Sequence, residues 1–141
     1  MTRIVLDTNV IVSALLSPKG NPAKILELLT TNPQLGICYN DTILTEYQDV
    51  LSREKFKITK LTQFRVVNAI RCMGIFVTAL PSVTPFSDES DCVFYDVAKT
   101  GKAILVTGNT KHYPDGSIIM TPADFLNILG CEDIMRKLWR S

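Results

Sequence analysis

Arg3-Ile4-Val5-Leu6-Asp7-Thr8-Asn9-Val10-Ile11 is the stretch that decides how this chain reads. Three apolar residues run straight into a carboxylate, and a second apolar run follows the polar Thr-Asn step. A strand buried on both faces reads as a short continuous apolar run, because both rows of its side chains meet core. Open α/β sheets carry their ligand chemistry just beyond the carboxyl ends of their strands. Asp7 therefore stands where such a fold presents reactive groups. Asp, Thr and Asn are also favoured at helix starts, so this segment alone leaves Asp7 open to a capping role.

Working outward, helices and strands alternate. Asn9 to Leu16 reads as a helix broken by Ser17-Pro18-Lys19-Gly20, and Asn21-Pro22 opens a second helix with Asn21 as its cap. Leu35 to Tyr39 is a second strand, and Asn40-Asp41 caps a helix over Thr42 to Leu51 whose apolar residues follow the helical period. After the charged connector Ser52 to Lys57, Thr59 to Met73 reads as a helix with Leu61, Phe64, Val67, Ala69 and Ile70 at core-like intervals. Ile75 to Leu80 is a strand, Pro81 to Ser87 a loop, and Asp88 to Lys99 a helix. Ala103 to Thr107 and Ser117 to Met120 supply two more strands, with a turn over His112 to Gly116, and Thr121-Pro122 opens a last helix to about Leu129. This alternation predicts a three-layer α/β/α domain with a mostly parallel central sheet of about five strands. The domain is expected over residues 1–130, with 131–141 as a helical tail packing on the domain or on a partner.

Composition narrows the function classes. A chain of 141 residues fits one domain, and 46% hydrophobic with 21% charged residues is ordinary for a soluble globular protein. A formal charge of +1 gives no global attraction for polyanions, so nucleic-acid binding requires a local basic patch. Cys38, Cys72, Cys92 and Cys131 form no CxxC pair, and the single histidine, His112, has no cysteine nearby, which argues against a zinc site. Separated cysteines in apolar settings read as reduced core residues. No signal-peptide pattern or membrane-length apolar window is present, so the expectation is a cytoplasmic protein without membrane association.

Four carboxylates are expected at one edge of the sheet. Asp7 ends the first strand, Glu46 lies about one turn into the helix after the second strand, and Asp88 and Asp91 open a later helix. A spacing of three lets Asp88 and Asp91 point the same way. Each has a plainer role: Asp88 as a cap or dipole partner, Glu46 as a solvated or lysine-paired residue. Together, carboxylates in one place repel unless a cation compensates, and hard oxygen ligands suit Mg²⁺ or Mn²⁺. Such ions activate water and stabilise the leaving oxygen of a phosphodiester.

These residues resemble PIN-domain ribonucleases, in particular the toxin branch of type II toxin–antitoxin systems (VapC-like). The resemblance runs from Ile4 to about Leu129. It is carried by Val5-Leu6-Asp7-Thr8-Asn9-Val10, Thr45-Glu46-Tyr47 with Val50-Leu51, and Ser87-Asp88-Glu89-Ser90-Asp91 leading into Phe94 and Ala98. Leu105-Val106-Thr107-Gly108-Asn109 and Thr121-Pro122-Ala123-Asp124-Phe125-Leu126 complete it. It implies a metal-dependent endoribonuclease in which Asp7, Glu46 and Asp91 bind Mg²⁺ or Mn²⁺ and Asp88 supports them. Asn9, Thr107 and Asn109 are expected to orient ligand groups or bound water through hydrogen bonds. Many PIN domains carry a further aspartate where this chain has Asn109, which implies weaker binding of a second ion.

Substrate contact is expected from Lys111 and His112, which follow the strand bearing Asn109, and from Arg53, Lys55 and Lys57 after the Glu46 helix. Phosphate contacts of this kind position a strand without reading its sequence. The expected partners are an RNA substrate, an antitoxin protein and a second copy of the chain in a homodimer. Ile134, Met135, Leu138 and Trp139 recur at helical spacing in the tail and suit packing on the domain or on such a partner. The alternative function is a catalytically weak PIN-like module that binds RNA or a partner. A dehalogenase-like phosphatase would want a second carboxylate at position 9, where this chain has Asn. A receiver domain would want paired acids near the first strand, and none are visible.

Overall fold

The structure is a computed structural model, and it describes residues 1–79, 89–114, 116 and 118–140, the side chains at 89–91, 133, 136 and 140 excepted. The opening apolar run forms β1 (Thr2–Leu6), whose Ile4, Val5 and Leu6 are wholly buried. Then come α1 (Thr8–Leu16), α2 (Asn21–Thr31), β2 (Leu35–Tyr39), α3 (Asp41–Leu51), a 3-10 turn at Glu54–Phe56 and α4 (Lys60–Met73). The chain continues through β3 (Ile75–Phe76), α5 (Glu89–Thr100), β4 (Ile104–Val106), a 3-10 turn at Thr110–His112, β5 (Ile119–Met120) and α6 (Pro122–Arg140).

The five strands among the described residues are all parallel, in the order β3-β2-β1-β4-β5. Helices cover the sheet in a three-layer α/β/α arrangement, as the alternation of elements required. The order matters for the site. The chain winds outward from β1 to β3 and then returns to lay β4 on the other side of β1. The boundary between β1 and β4 is thus the topological switch point, where the connections above the strands diverge and leave a crevice. In register, Leu6 lies beside Val106, so Asp7 and Thr107 leave the sheet side by side.

The core fills from both layers. Among the described residues Tyr47, Phe94 and Phe125 are the largest wholly buried side chains, and Tyr47 packs on Phe94 with ring centroids 6.1 Å apart. Burying each aliphatic or Phe side chain contributes roughly 1.5–3 kcal/mol before entropy is counted. Asn40 caps α3 as expected, its side-chain oxygen accepting from the Ile43 amide at 2.9 Å. Gly74 ends α4 in a tight corner, where a Cβ would sit 2.5 Å from the Ile70 carbonyl oxygen and 2.7 Å from the Tyr39 ring.

Several expectations shift. The cap of α2 is Gly20 rather than Asn21, because the first helical bond runs from the Lys24 amide to the Gly20 carbonyl, which moves Asn21 and Pro22 into the first turn. The strand expected from Ile75 narrows to two residues, and its far end at Leu80 lies outside the described residues. On α4 only Val67 and Ile70 of the apolar set are buried, while Leu61 and Phe64 are 57% and 65% exposed. The apolar stripe is wider than the contact α4 makes with α3 and β2. α6 does not stop near Leu129 but runs unbroken through Gly130. A lone helical glycine costs only about 1 kcal/mol, and Gly130 does not take up the positive φ that would end the helix. The boundary drawn at residue 130 thus falls inside one helix, whose outer half exposes Ile134, Met135 and Trp139. Of the four cysteines only Cys38 is buried; Cys92 is half-buried, and Cys72 and Cys131 lie on the surface, contrary to the core reading. Among the described residues no helix is long and apolar enough to cross a membrane.

Candidate functional site at the switch point

Asp7 occupies the N-cap position of α1, yet its side chain makes no cap hydrogen bond. That removes the plainest alternative to a functional role. Asp7 is 8% exposed as a residue, and its Oδ2 accepts three hydrogen bonds. Thr107 Oγ1 donates at 2.7 Å, the Tyr113 hydroxyl at 3.1 Å and Asn9 Nδ2 at 3.3 Å. No described residue donates to Oδ1. Three donors on one oxygen fix the rotation of the carboxyl group.

The donors come from three places in the chain, and each is itself held. Thr107 is wholly buried and its hydroxyl accepts from the Asn109 amide at 3.0 Å. Asn9 crosses from the β1 end to the β4 end, its Oδ1 accepting from the Gly108 amide at 3.2 Å. Tyr113 is buried after the 3-10 turn that follows β4. Charge-assisted bonds of this type are worth roughly 1.5–3 kcal/mol each, enough to keep a buried carboxylate in place.

α3 docks on the same edge. The Tyr47 hydroxyl donates to the Leu6 carbonyl, one residue before Asp7. Burial pushes the Tyr47 phenol well above its ordinary range, and the nearby Asp7 charge pushes it the same way, so the hydroxyl stays a donor. Glu46 precedes Tyr47 and is half-buried, lining a shallow groove with Asp41, Thr42, Thr45 and Asp49. Asp91 is the third residue of α5, one turn before Phe94, whose ring packs on Tyr47. Its side chain lies outside the described residues, as does Asp88 altogether. Asp7, Glu46 and the start of α5 thus approach one end of the sheet from three elements. Among the described residues no group of three His, Cys, Asp or Glu side chains stands close enough together to hold a metal ion.

The remaining expected residues divide. Asn109 is exposed, with its amide nitrogen 3.1 and 3.3 Å from the two His112 ring nitrogens. Lys111 and His112 are exposed on the turn after β4, on the site's side of the sheet. Arg53 and Lys55 are not brought to Asp7. They follow the far end of α3, where Arg53 pairs with Asp49 at 3.6 Å and the Lys55 ammonium lies 5.0 Å from the Phe56 ring centre. Arg53 is six residues beyond Tyr47, roughly 9 Å along the helix axis away from the docked turn.

Two site residues escaped the sequence reading. Tyr47 looked like a core position on a periodic helix, and Tyr113 like part of a turn. The available signal was chemical: a buried tyrosine has to find a partner for its hydroxyl. The donor set fits a hard divalent cation on two observations. Asp7 Oδ1 receives no described hydrogen bond, and the neighbouring Thr8 hydroxyl is buried without a partner among the described residues. Both are oxygens, as Mg²⁺ or Mn²⁺ requires.

Comparison with known proteins agrees with this fold. The uncharacterized protein MJ1680 of Methanocaldococcus jannaschii is 30% identical over 110 residues, spanning 76% of this chain and 70% of that protein. Among solved structures, the VapBC2 complex of Rickettsia felis, bound to a DNA fragment from its promoter, matches with a TM-score of 0.51 and 23% identity over 78% of this chain and 90% of that one. A toxin–antitoxin complex from Klebsiella pneumoniae matches with a TM-score of 0.53 and 19% identity, over 84% and 97% of the two chains. The model of the PIN domain family matches residues 3–111, a span that contains Asp7, its donors Asn9 and Thr107, Glu46 and Asp91. The chain belongs to the PIN domain family.

Proposed function

We propose that this protein is a divalent-metal-dependent endoribonuclease, acting as the toxin of a toxin–antitoxin pair. The observation that carries the proposal is the buried Asp7 at the switch point, with Oδ2 held by three donors and Oδ1 left without one among the described residues. PIN domains are generally nucleases, and this arrangement suits a carboxylate that presents one fixed oxygen to a cation. Asp7, Glu46 and Asp91 would hold Mg²⁺ or Mn²⁺, with Asp88 supporting them. Bound there, the ion supplies a water of lowered pKa and compensates charge on the phosphate oxygens.

The chain's own residues do the rest. Thr107, Tyr113 and Asn9 prevent Asp7 from rotating, and Tyr47 pins α3, and with it Glu46, to the end of β1. Lys111, exposed on the turn after β4, would neutralise a phosphate near the scissile bond, with the exposed His112 beside it as a further polar contact. The two solved relatives are toxin–antitoxin complexes, which supports an antitoxin as partner here. A homodimer is part of the same reading, with the exposed outer half of α6 as the surface available to it.

The test is cleavage of defined single-stranded RNAs with Mn²⁺, with and without EDTA, by the protein and by Asp7→Asn. The carboxamide keeps the shape of the carboxylate while removing its charge. Cleavage should require the metal and fall by about 100-fold or more in the variant, since loss of a partner that only orients a metal ligand already costs about 10–100-fold. Cleavage of equal rate in Asp7→Asn, with identical folding by circular dichroism, would refute the assignment.

A further inference from the structure

We propose that the face of α4 opening onto α3 is a docking surface for single-stranded RNA, with Lys60 and Arg71 at its ends and Phe64 as a stacking platform between them. The inference rests on RNA as the substrate class named above and adds where that substrate lies. Its first support is charge segregation. Residues 55–87 hold five of the fifteen cations (Lys55, Lys57, Lys60, Arg65 and Arg71) and none of the fourteen acids. Lys60, Arg65 and Arg71 lie on α4 itself and Lys55 and Lys57 just before it, so a chain of net charge +1 concentrates positive charge on this helix and its approach, which is what attraction to a phosphate backbone requires.

The second support is the state of those side chains. Lys60, Arg65 and Arg71 are exposed, and none forms an ion pair among the described residues, where the ion pair found is Arg53 with Asp49. Phe64, on the same face, is 65% exposed, although burying a phenylalanine is worth roughly 1.5–3 kcal/mol. An open ring flanked by free cations is the arrangement that takes up unpaired bases by stacking, whereas a duplex hides its base faces. The groove between the helices measures about 260 Å³ and adds the exposed amides of Gln48 and Asn68, which match the donors and acceptors of base edges and 2′-hydroxyls.

Position supplies the third support. Lys60 and Arg71 are eleven residues apart on one helix, roughly 16 Å along its axis, so the face is long enough for several nucleotides. At the Arg71 end, the backbone carbonyl accepts a hydrogen bond of 3.2 Å from the Tyr39 hydroxyl. Tyr39 is the last residue of β2, so this end of α4 is bonded to the carboxyl end of the strand beside β1, which leads into Asp7.

The experiment is fluorescence anisotropy with a short fluorescein-labelled single-stranded RNA of mixed sequence, in EDTA so that nothing is cut, over a range of salt. The full-length protein is compared with Lys60→Glu/Arg71→Glu, with Phe64→Ala, and with Lys19→Glu/Lys24→Glu as a charge-matched control. The α4 charge reversal should weaken binding at least tenfold and make the salt dependence shallower by about 1.4 in log–log slope, about 0.7 for each lost phosphate contact. Phe64→Ala should weaken it at least about fivefold through lost stacking, and the control should change little. All altered side chains are exposed, and melting curves check that the variants fold. Unchanged affinity and slope in both α4 variants would overturn the proposal and leave a protein partner as the occupant. Failure of the unaltered protein to bind the RNA would overturn it as well. Mn²⁺-dependent cleavage of the same RNAs separates the two readings. Loss of α4 binding in a protein that cuts nothing keeps the docking surface and defeats the nuclease. Cutting with α4 binding unchanged does the reverse.

Discussion

Replacing Thr107 by valine tests the centre of the site without touching a carboxylate. The two side chains have the same shape and both are β-branched, so the buried position keeps its packing while the hydroxyl is lost. Two bonds go with it: the 2.7 Å donation to Asp7 Oδ2 and the 3.0 Å acceptance from the Asn109 amide. The first is charge-assisted and wholly buried, worth roughly 1.5–3 kcal/mol. The second costs little, because Asn109 is exposed and its amide can turn to water. The buried methyl returns up to about 0.8 kcal/mol. The expected loss is therefore about 1–2.5 kcal/mol, which for a chain of this size lowers Tm by roughly 3–10 °C. Urea unfolding followed by far-ultraviolet circular dichroism should show a lower midpoint at unchanged m. Trp139 fluorescence is the wrong probe, since the single tryptophan is 83% exposed at the end of α6. Thr45→Val, on the exposed face of α3, serves as a control expected within about 0.5 kcal/mol of the parent. A Thr107→Val protein as stable as that control would show that the Thr107 hydroxyl is not holding Asp7.

Gly74→Ala should lose about 1–3 kcal/mol, because the new methyl meets the Ile70 carbonyl and the Tyr39 ring at under 3 Å; no shift of the urea midpoint would contradict that geometry. The elevated Tyr47 phenol predicts alkaline lability. Below about pH 10 the phenol is protonated whether the chain is folded or not and costs nothing. At higher pH the unfolded chain releases this proton while the folded one keeps it, so stability falls. Tyr47→Phe, less stable at neutral pH through loss of the bond to Leu6, should show a flatter decline of the urea midpoint above pH 10, and a parallel decline would refute the cause.

Much of the architecture was legible before any coordinates. Continuous apolar runs marked β1, β2 and β4 because a strand covered on both faces has no polar side to display. Asn40 announced the start of α3, since its short side chain reaches an otherwise unpaired amide. The sequence also singled out Asp7, Asn9 and Thr107, which the structure joins in one hydrogen-bonded group. It was less informative where an element's surroundings decide. The stripe on α4 was read as core, yet Leu61 and Phe64 face outward, because helical period reports a face and not what covers it. Arg53 and Lys55 were grouped with the site by nearness in sequence, and α3 carries them away from it.

What the sequence by itself determined was local: which segments are strands and helices, and which residue types stand at their ends. Periodicity and capping act over a few residues, so they survive in a one-dimensional record. The order β3-β2-β1-β4-β5 was beyond its reach, and with it the fact that the end of β1 lies beside the end of β4. That adjacency brings Thr107 and Tyr113 to a carboxylate 100 and 106 residues earlier in the chain. Only the packed sheet could decide that the Asp7 carboxylate is held by Asn9, Thr107 and Tyr113 instead of capping the helix it begins. The cost of burying a charge depends on the donors around it, and those donors are set by tertiary neighbours.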